Sequence, residues 1–136
     1  MGDLIIRIPW MKHYKGPSLA DTPTKDASTL TPSSWGAYAY NWLPFQGVML
    51  GCFDNDVNDR SEIEIEKLGA PKGADLVYGV CIYWVSYSAQ EGKTVLVGWH
   101  KDATVYRYLQ PEPGDTRRKL PNGQYCGYYT KAEAQD

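Results

Sequence analysis

Aromatic rings and positive charges alternate at two points of the sequence, and this pairing suits nucleic-acid binding. Residues 10–15 (WMKHYK) combine a Trp, a Tyr, a His and two Lys, and residues 99–101 (WHK) repeat the combination. Residues 106–108 (YRY) place an Arg between two further rings. Flat rings stack on bases, while Lys and Arg neutralise phosphates. These residue types predict binding of nucleic acid more directly than they predict a reaction.

The predicted site is an aromatic slot with a basic rim, formed where the ends of strands meet. The predicted ligand-binding residues are Trp10, Asn41, Trp42, Trp99, His100 and Tyr106. In this set the Trp rings are candidate stacking walls, and the Asn amide is a candidate reader of a base edge. The predicted phosphate contacts are Lys12, Lys15, Lys101, Arg107, Arg117 and Arg118. Trp and Tyr rings at strand ends also pack half-buried, so plain packing is the alternative for each ring.

Catalysis and metal binding find little support in the sequence. Its two histidines stand alone, without a serine-hydrolase, zinc-protease or deaminase motif around them. A dyad of His100 with Cys126 stays open as an alternative, because such partners meet in space rather than along the chain. Residues 54–58 match the first three ligand positions of an EF-hand calcium loop, but Asp59 and Ile65 stand where that loop needs Gly and Glu. The sequence therefore predicts no metal and no cofactor.

Length and composition predict one soluble domain. A chain of 136 residues can bury a core without disulfides, and three cysteines without a C-x-x-C pair predict reduced thiols and a cytoplasmic setting. No apolar run is long enough for a signal sequence or a membrane span, so we expect no membrane association. The charge is uneven, since residues 53–75 carry three positive and seven negative side chains and residues 93–131 carry seven positive and three negative. The basic final third is compatible with a nucleic-acid partner.

Short β-prone segments separated by turns account for most of the chain. Strands are predicted at residues 4–10, 48–53, 61–66, 76–87, 94–99, 103–108 and 125–129. Residues 76–87 are the predicted central strand, and the Trp-His-Lys-Asp corner at residues 99–102 is predicted to join two strands as a hairpin. Residues 18–34, rich in Ser, Thr and Pro, are a predicted surface loop. The predicted fold is mainly β (α+β), a curled sheet or small β-barrel with few short helices.

Several blocks resemble, in the same order, a bacterial domain at the N-terminus of HNH-type and restriction-like endonuclease proteins. They are residues 8–16 (IPWMKHYKG), 40–44 (YNWLP), 68–70 (LGA), 97–107 (VGWHKDATVYR) and 129–134 (YTKAEA). That family usually has Tyr at the place of His100 and Asn at the place of Asp102. The resemblance implies a sensor in a defence or restriction system, with a nuclease fused to it or acting as its partner. By analogy with other sensors fused to nucleases, it also implies a PUA-like or EVE-like architecture that holds a flipped base.

The predicted function is a non-catalytic recognition module, one domain over residues 1–136, that binds nucleic acid and holds a modified base in the aromatic slot. DNA and a nuclease are its predicted partners. The first alternative is a domain that senses or sequesters a nucleotide or another small molecule in the same slot. The second is a hydrolase built on His100 or Cys126. Substituting Trp99 by Ala separates a site from a core, because a binding residue can be lost without unfolding the protein.

Overall fold

The computed structural model of the protein describes residues 2–18, 20–25, 28–30, 36–53, 63–120 and 123–134. Its strands are β1 (Asp3–Arg7), β2 (Thr24–Lys25), β3 (Ser28–Thr29), β4 (Val48–Gly51), β5 (Leu76–Ser88), β6 (Lys93–Gln110) and β7 (Tyr128–Glu133). Within the described ranges, 3₁₀ helices lie at Ala37–Tyr40 and Ile65–Leu68. The prediction of a mainly β protein with few short helices is confirmed.

Five strands form one curled mixed sheet in the order β1-β5-β6-β7-β4. β1 runs parallel to β5, and the other neighbours are antiparallel. The edge strands β1 and β4 do not pair with each other in the described part of the chain, so the sheet stays open. The curled sheet is therefore confirmed in its open form rather than as a closed barrel. β2 and β3 pair separately, inside the segment predicted as a surface loop.

β5 shows why the sheet has one buried face and one solvent-facing face. Val80, Ile82 and Trp84 are fully buried, whereas the residues between them are partly exposed. Successive side chains of a strand point to opposite faces, so these three define the inner face. β-branched and aromatic residues favour such a pleated, half-buried position. The predicted strand at residues 76–87 is confirmed, although β6 rather than β5 is third of the five strands.

The corner at residues 99–102 is a bulge inside one strand, so the predicted hairpin is wrong. β6 runs unbroken from Lys93 to Gln110. His100 pairs with Ile82 and Ala103 pairs with Val80, which leaves one extra residue on β6 in this interval. Asp102 takes that extra place with a φ of 49°. Asp tolerates the left-handed conformation, so the corner bends and offsets the strand without ending it.

Two further strand predictions are corrected. The described part of residues 61–66 holds no strand, because Ile65 begins a 3₁₀ helix that Gly69 caps with a φ of 98°. Ile65 still points inward, as the alternation of this stretch indicates, and it is fully buried. The last strand begins at Tyr128 rather than at residue 125, and it pairs with both β6 and β4. The calcium-like residues 54–60 lie outside the described part of the chain.

Parts of the described chain between β1 and β4 pack on the inner face of the sheet. Met11, Tyr14 and Tyr38 are nearly or fully buried, and they belong to one apolar cluster with Trp84 of β5. Burying a large apolar side chain contributes roughly 1.5–3 kcal/mol. This layer therefore holds the segment after β1 on the sheet, and that segment carries Lys12 and Lys15.

Candidate functional site

Trp42 and Trp99, two of the predicted stacking walls, lie on opposite faces of the sheet. Gly98 faces inward, since a Cβ built on it would lie 2.5 Å from the indole of Trp42. The next residue, Trp99, points outward and is 51% exposed. Neighbouring residues of a strand alternate between faces, so one slot does not hold both rings. The slot predicted from the sequence is not formed by this pair.

His100 is a core residue on the inner face. Its Nδ1 accepts a hydrogen bond from Nε1 of Trp84 at 3.2 Å, and its ring centroid lies 4.8 Å from that of Trp42. Only 5% of the residue is exposed, and burial lowers the pKa of its imidazole to about 4. His100 is therefore neutral near pH 7 and out of reach of a ligand on the outer face.

Asn41 holds two segments of the chain together rather than facing a ligand. Its Nδ2 donates to the carbonyl of Cys52 at 2.9 Å, and its Oδ1 accepts from the Cys52 amide at 2.8 Å. The residue is fully buried, so a base edge does not reach its amide. Buried polar groups are nearly always hydrogen-bonded, and these two bonds satisfy the amide and the carbonyl of Cys52 just after β4.

Arg107 and Arg118 stabilise the fold instead of lining a phosphate site. Arg107 donates from Nε to the carbonyl of Ala74 at 2.8 Å and forms a two-pronged ion pair with Glu66, which lowers the pKa of that carboxyl group. Arg118 is fully buried and donates to the carbonyls of Tyr40 and Leu50 at 3.0 and 3.1 Å. Neither guanidinium presents an open face to a phosphate.

The bulge at Asp102 explains the burial of Arg107. Immediately before the bulge, Gly98 and His100 face inward and Trp99 faces outward, whereas beyond it Ala103, Val105 and Arg107 are all buried. One extra residue exchanges the two faces of a strand. Simple alternation along the whole of β6 would have placed Arg107 beside Trp99.

Three side chains form a row across the solvent-facing side of the sheet, which we call the outer-face row: Ile5, Tyr83 and Trp99. Ile5 pairs with Tyr83 across β1 and β5, and Tyr83 pairs with Trp99 across β5 and β6. Ile5 is 70% and Trp99 51% exposed. Lys101 is also exposed and follows Trp99 on the same side of β6. The row therefore presents the exposed ring of Trp99 next to the partly buried ring of Tyr83, with a cation on the same side.

The remaining outer-face ring among the predicted site residues, Tyr106, lies away from this row. Tyr106 is beyond the bulge and packs edge-on against Tyr128, with ring centroids 5.8 Å apart. Lys101 borders a second hollow of about 460 Å³, where Lys131 and Glu133 also contribute. Because that hollow holds charges of both signs, it offers no strong preference for an anion.

A basic cleft lies at the end of the segment that follows β1. Its volume is about 910 Å³. Its charged, aromatic and large apolar lining side chains are Lys12, His13, Lys15, Asp21, Tyr40, Leu43 and Arg117. Three of the six cations predicted as phosphate contacts therefore meet in one place. Trp10 is not one of the lining residues; it is half-buried and pairs through its backbone with Thr24.

The hydrolase alternative gains nothing from the geometry. Cys126 is 1% exposed, and burial raises the pKa of its thiol to about 11, which disfavours the nucleophilic thiolate. His100 is buried against Trp42 and Trp84, so its imidazole does not face solvent where a substrate would bind. Over the described ranges, no group of three or more His, Cys, Asp or Glu side chains is placed to hold a metal ion.

The sequence predicted no site role for two residues, Tyr83 and Asp21. Tyr83 was predicted only as part of the central strand, although alternation from Ile82 and Trp84 would have directed it to the outer face. Asp21 organises the cleft by accepting hydrogen bonds from the amides of Lys12 and His13. Its role depends on a contact between residues eight or nine apart in irregular chain, and no sequence pattern signals such a contact.

Comparison with protein-family models, with curated proteins and with solved structures finds no match to this chain. The likeness to nuclease-associated domains consequently remains a prediction from the sequence blocks. In the described ranges, no helix has the length and apolar character needed to cross a membrane.

Proposed function

We propose that this protein is a non-catalytic nucleic-acid recognition module that stacks unpaired bases on the outer-face row. The proposal rests on one observation, the cross-strand pair of Tyr83 and Trp99 on a face that no other described segment covers. Paired residues on neighbouring strands have Cβ atoms about 4.5–5.5 Å apart, so the two aromatic side chains are direct neighbours on the outer face. Sheets with exposed rings of this kind bind single-stranded nucleic acid by stacking two or three bases.

The chemistry of the row favours a base over an aliphatic partner. Trp99 offers a large π-face, and every base can stack on such a face. Lys101, exposed on the same side, supplies a charge for the adjoining phosphate. This site replaces the predicted slot of Trp10, Trp42 and Trp99, because the last two rings face away from each other. Selectivity for a modified base remains part of the proposal, as do the nuclease partner, the defence setting and the cytoplasmic location.

The test is a titration of the protein with fluorescein-labelled 12-nucleotide oligothymidylate, followed by fluorescence anisotropy. Stacking contributes about 1–3 kcal/mol per base, so Trp99→Ala should weaken binding by roughly 5- to 150-fold. The matched control is Tyr125→Ala, because Tyr125 is 44% exposed but lies outside the row. Both variants should keep the wild-type melting temperature within a few degrees, since each removed ring is largely solvated.

Equal affinities of Trp99→Ala and Tyr125→Ala for the oligonucleotide would contradict the proposal. A loss of self-association in Trp99→Ala, measured by sedimentation, with no loss of oligonucleotide binding would instead identify the row as an interface between copies of the chain. Repeating the titration with oligonucleotides that carry cytosine, 5-methylcytosine or 5-hydroxymethylcytosine tests the modified-base selectivity. Equal binding of all three would reduce the proposal to general single-strand binding.

A further inference from the structure

The basic cleft holds positive charge that the fold itself does not use. In the described part of the chain, Lys12 and Lys15 take part in no ion pair, and both are exposed. The two carboxylates nearby are already engaged. Asp21 accepts two backbone hydrogen bonds at 2.6 and 2.8 Å, and Asp115 accepts two hydrogen bonds at 2.8 Å from the guanidinium of Arg117.

The backbone that carries these lysines is held in a fixed shape. Tyr14 has a φ of 56°, a conformation that a non-glycine residue adopts only where its surroundings impose it. Its hydroxyl donates to the carbonyl of Pro9 at 2.6 Å and accepts from the Met11 amide at 3.1 Å. The amide of Gly16 donates to the carbonyl of Ala39 at 2.8 Å, which ties the loop to the 3₁₀ helix beside it. Lys12 and Lys15 are therefore carried by a backbone that is already ordered, so ligand binding requires little further ordering of it.

Arg117 forms the other side of the same cleft. Its Nη2 also donates to the carbonyl of Pro44 at 2.8 Å, so the guanidinium is fixed in place. The hydrogen bonds from Arg117 lower the pKa of Asp115, which stays ionised and offsets part of this charge. Lys12 and Lys15 are the cations left without an ion pair, and the carboxylate of Asp21, which also lines the cleft, offsets one of their two charges. The cleft therefore carries one surplus positive charge, with the exposed imidazole of His13 beside it.

We propose that the cleft lined by Lys12, His13, Lys15 and Arg117 is a binding site for a phosphate monoester. A monoester carries close to two negative charges at neutral pH, against one for a diester of the nucleic-acid backbone, so two unpaired lysines that line one cleft favour it. The ring of Tyr40 and the side chain of Leu43 line the same cleft and provide an apolar wall for the organic part of the ligand. A volume of about 910 Å³ accommodates a nucleotide, since pockets for such ligands span about 300–1,000 Å³.

This site shares no lining residue with the outer-face row, so it goes beyond the function proposed above. The same chemistry has two sources, a free nucleotide and the phosphorylated end of a nucleic-acid strand. Either ligand presents a dianionic phosphate attached to a sugar and a base. The experiment must therefore distinguish the two ligands by the length of the nucleic acid attached to the phosphate, since the phosphate group is the same in both.

The test is isothermal titration calorimetry of the full chain with adenosine 5′-monophosphate, adenosine and inorganic phosphate at pH 7.5 and low salt. We expect the monophosphate to bind and adenosine to bind at least 10-fold more weakly. The double variant Lys12→Gln/Lys15→Gln should lose at least 10-fold in affinity for the monophosphate. The control Lys72→Gln/Lys93→Gln removes the same charge from exposed lysines outside the cleft and should bind like the wild type.

Equal loss in the two double variants would overturn the proposal, because the effect would then be one of net charge. Absence of measurable binding by the monophosphate and by a 5′-phosphorylated oligothymidylate would also overturn it. If the phosphorylated oligonucleotide binds more tightly than its 5′-hydroxyl form and than the monophosphate, the ligand is a strand end; the reverse order identifies a free nucleotide. Binding of the 5′-hydroxyl oligonucleotide should depend on Trp99 and not on the cleft. A negative result for phosphate binding in the cleft can therefore be told apart from a negative result for base stacking on the outer-face row.

Discussion

The indole of Trp84 donates a hydrogen bond to Nδ1 of His100, and this pair lies in the middle of the core beneath Trp42. The contact fixes the neutral form of the imidazole, because a ring nitrogen that accepts a hydrogen bond carries no proton. The other nitrogen, Nε2, is buried, with no hydrogen-bond partner in the described part of the chain. Protonation of His100 would therefore place an unpaired charge in an apolar site.

This arrangement predicts a stability that falls as the pH drops. Burial lowers the pKa of His100 from 6.5 to about 4, so between these values the unfolded chain binds the proton more readily than the folded chain. Stability is then fully present above about pH 6.5 and is lost as the pH falls toward 4, by about 3 kcal/mol in all. Urea unfolding at pH 7, 6, 5 and 4 measures the slope.

In the variant His100→Phe, the free energy of unfolding should lack the pH dependence that His100 contributes. The variant should still be less stable than the wild type at pH 7, because the indole of Trp84 loses its hydrogen-bond acceptor. Carboxylates such as Asp115 contribute their own acid sensitivity, but they do so equally in both proteins. His13→Gln is the matched control, since it removes an exposed imidazole and leaves the buried pair of Trp84 and His100 intact. Parallel pH profiles for wild type and His100→Phe would show that His100 is not buried as described.

Close packing of Gly98 on Trp42 gives a second prediction. A Cβ at residue 98 would lie 2.5 Å from the indole, and the indole is hemmed in by Tyr14 and His100 at centroid distances of 5.2 and 4.8 Å. Gly98→Ala should therefore cost about 1–3 kcal/mol by overpacking. Trp42→Phe should cost a similar amount through the cavity that it leaves.

The double variant Gly98→Ala/Trp42→Phe provides the control for this contact. The smaller ring leaves room for the added methyl group, so the combined loss should fall at least 1 kcal/mol short of the sum of the two single losses. Thermal unfolding of the four proteins supplies the comparison. Strictly additive losses would mean that the two residues do not touch.

The elements that the sequence predicted well are those whose pattern is local. β1, β4 and β5 follow from runs of apolar residues, and the ring of Trp99, which was predicted to bind a ligand, is 51% exposed. Lys12, Lys15 and Arg117 do converge, although the sequence had no means to place residue 117 beside residues 12 and 15. Contacts of that range depend on the folded topology rather than on spacing.

One departure from the predicted site originates in β6. A Trp-His-Lys-Asp stretch resembles a turn because Asp and Lys are common in turns. The bulge at Asp102 instead keeps the strand continuous and exchanges its faces, so Arg107 becomes a core residue. Asn41 and Arg118 were misassigned for a related reason: their side chains satisfy distant backbone groups, which composition does not reveal.

Adjacent arginines should respond very differently to substitution. Arg118→Met removes the donors to the carbonyls of Tyr40 and Leu50 inside the core and should cost about 3 kcal/mol. Arg117→Met alters a side chain that is 53% exposed, so solvent replaces much of what it contributes and the loss should be about 1 kcal/mol. The order of the two losses, measured by urea unfolding at pH 7, is the result that matters. A larger loss for Arg117→Met would place the wrong arginine in the core.

The left-handed conformation of Asp102 gives the last prediction and tests the bulge itself. A φ of 49° costs most residues about 1–2 kcal/mol, least for Gly, Asn and Asp and most for β-branched side chains. Asp102→Asn and Asp102→Gly should therefore stay within about 0.5 kcal/mol of the wild type, whereas Asp102→Val should lose at least about 1 kcal/mol. The matched control is Thr104→Val, two residues further along the same strand. Val is well suited to a regular strand position, so this change should be tolerated. Similar losses at residues 102 and 104 would mean that β6 crosses the corner without a bulge, and Arg107 would then belong on the same face as Trp99.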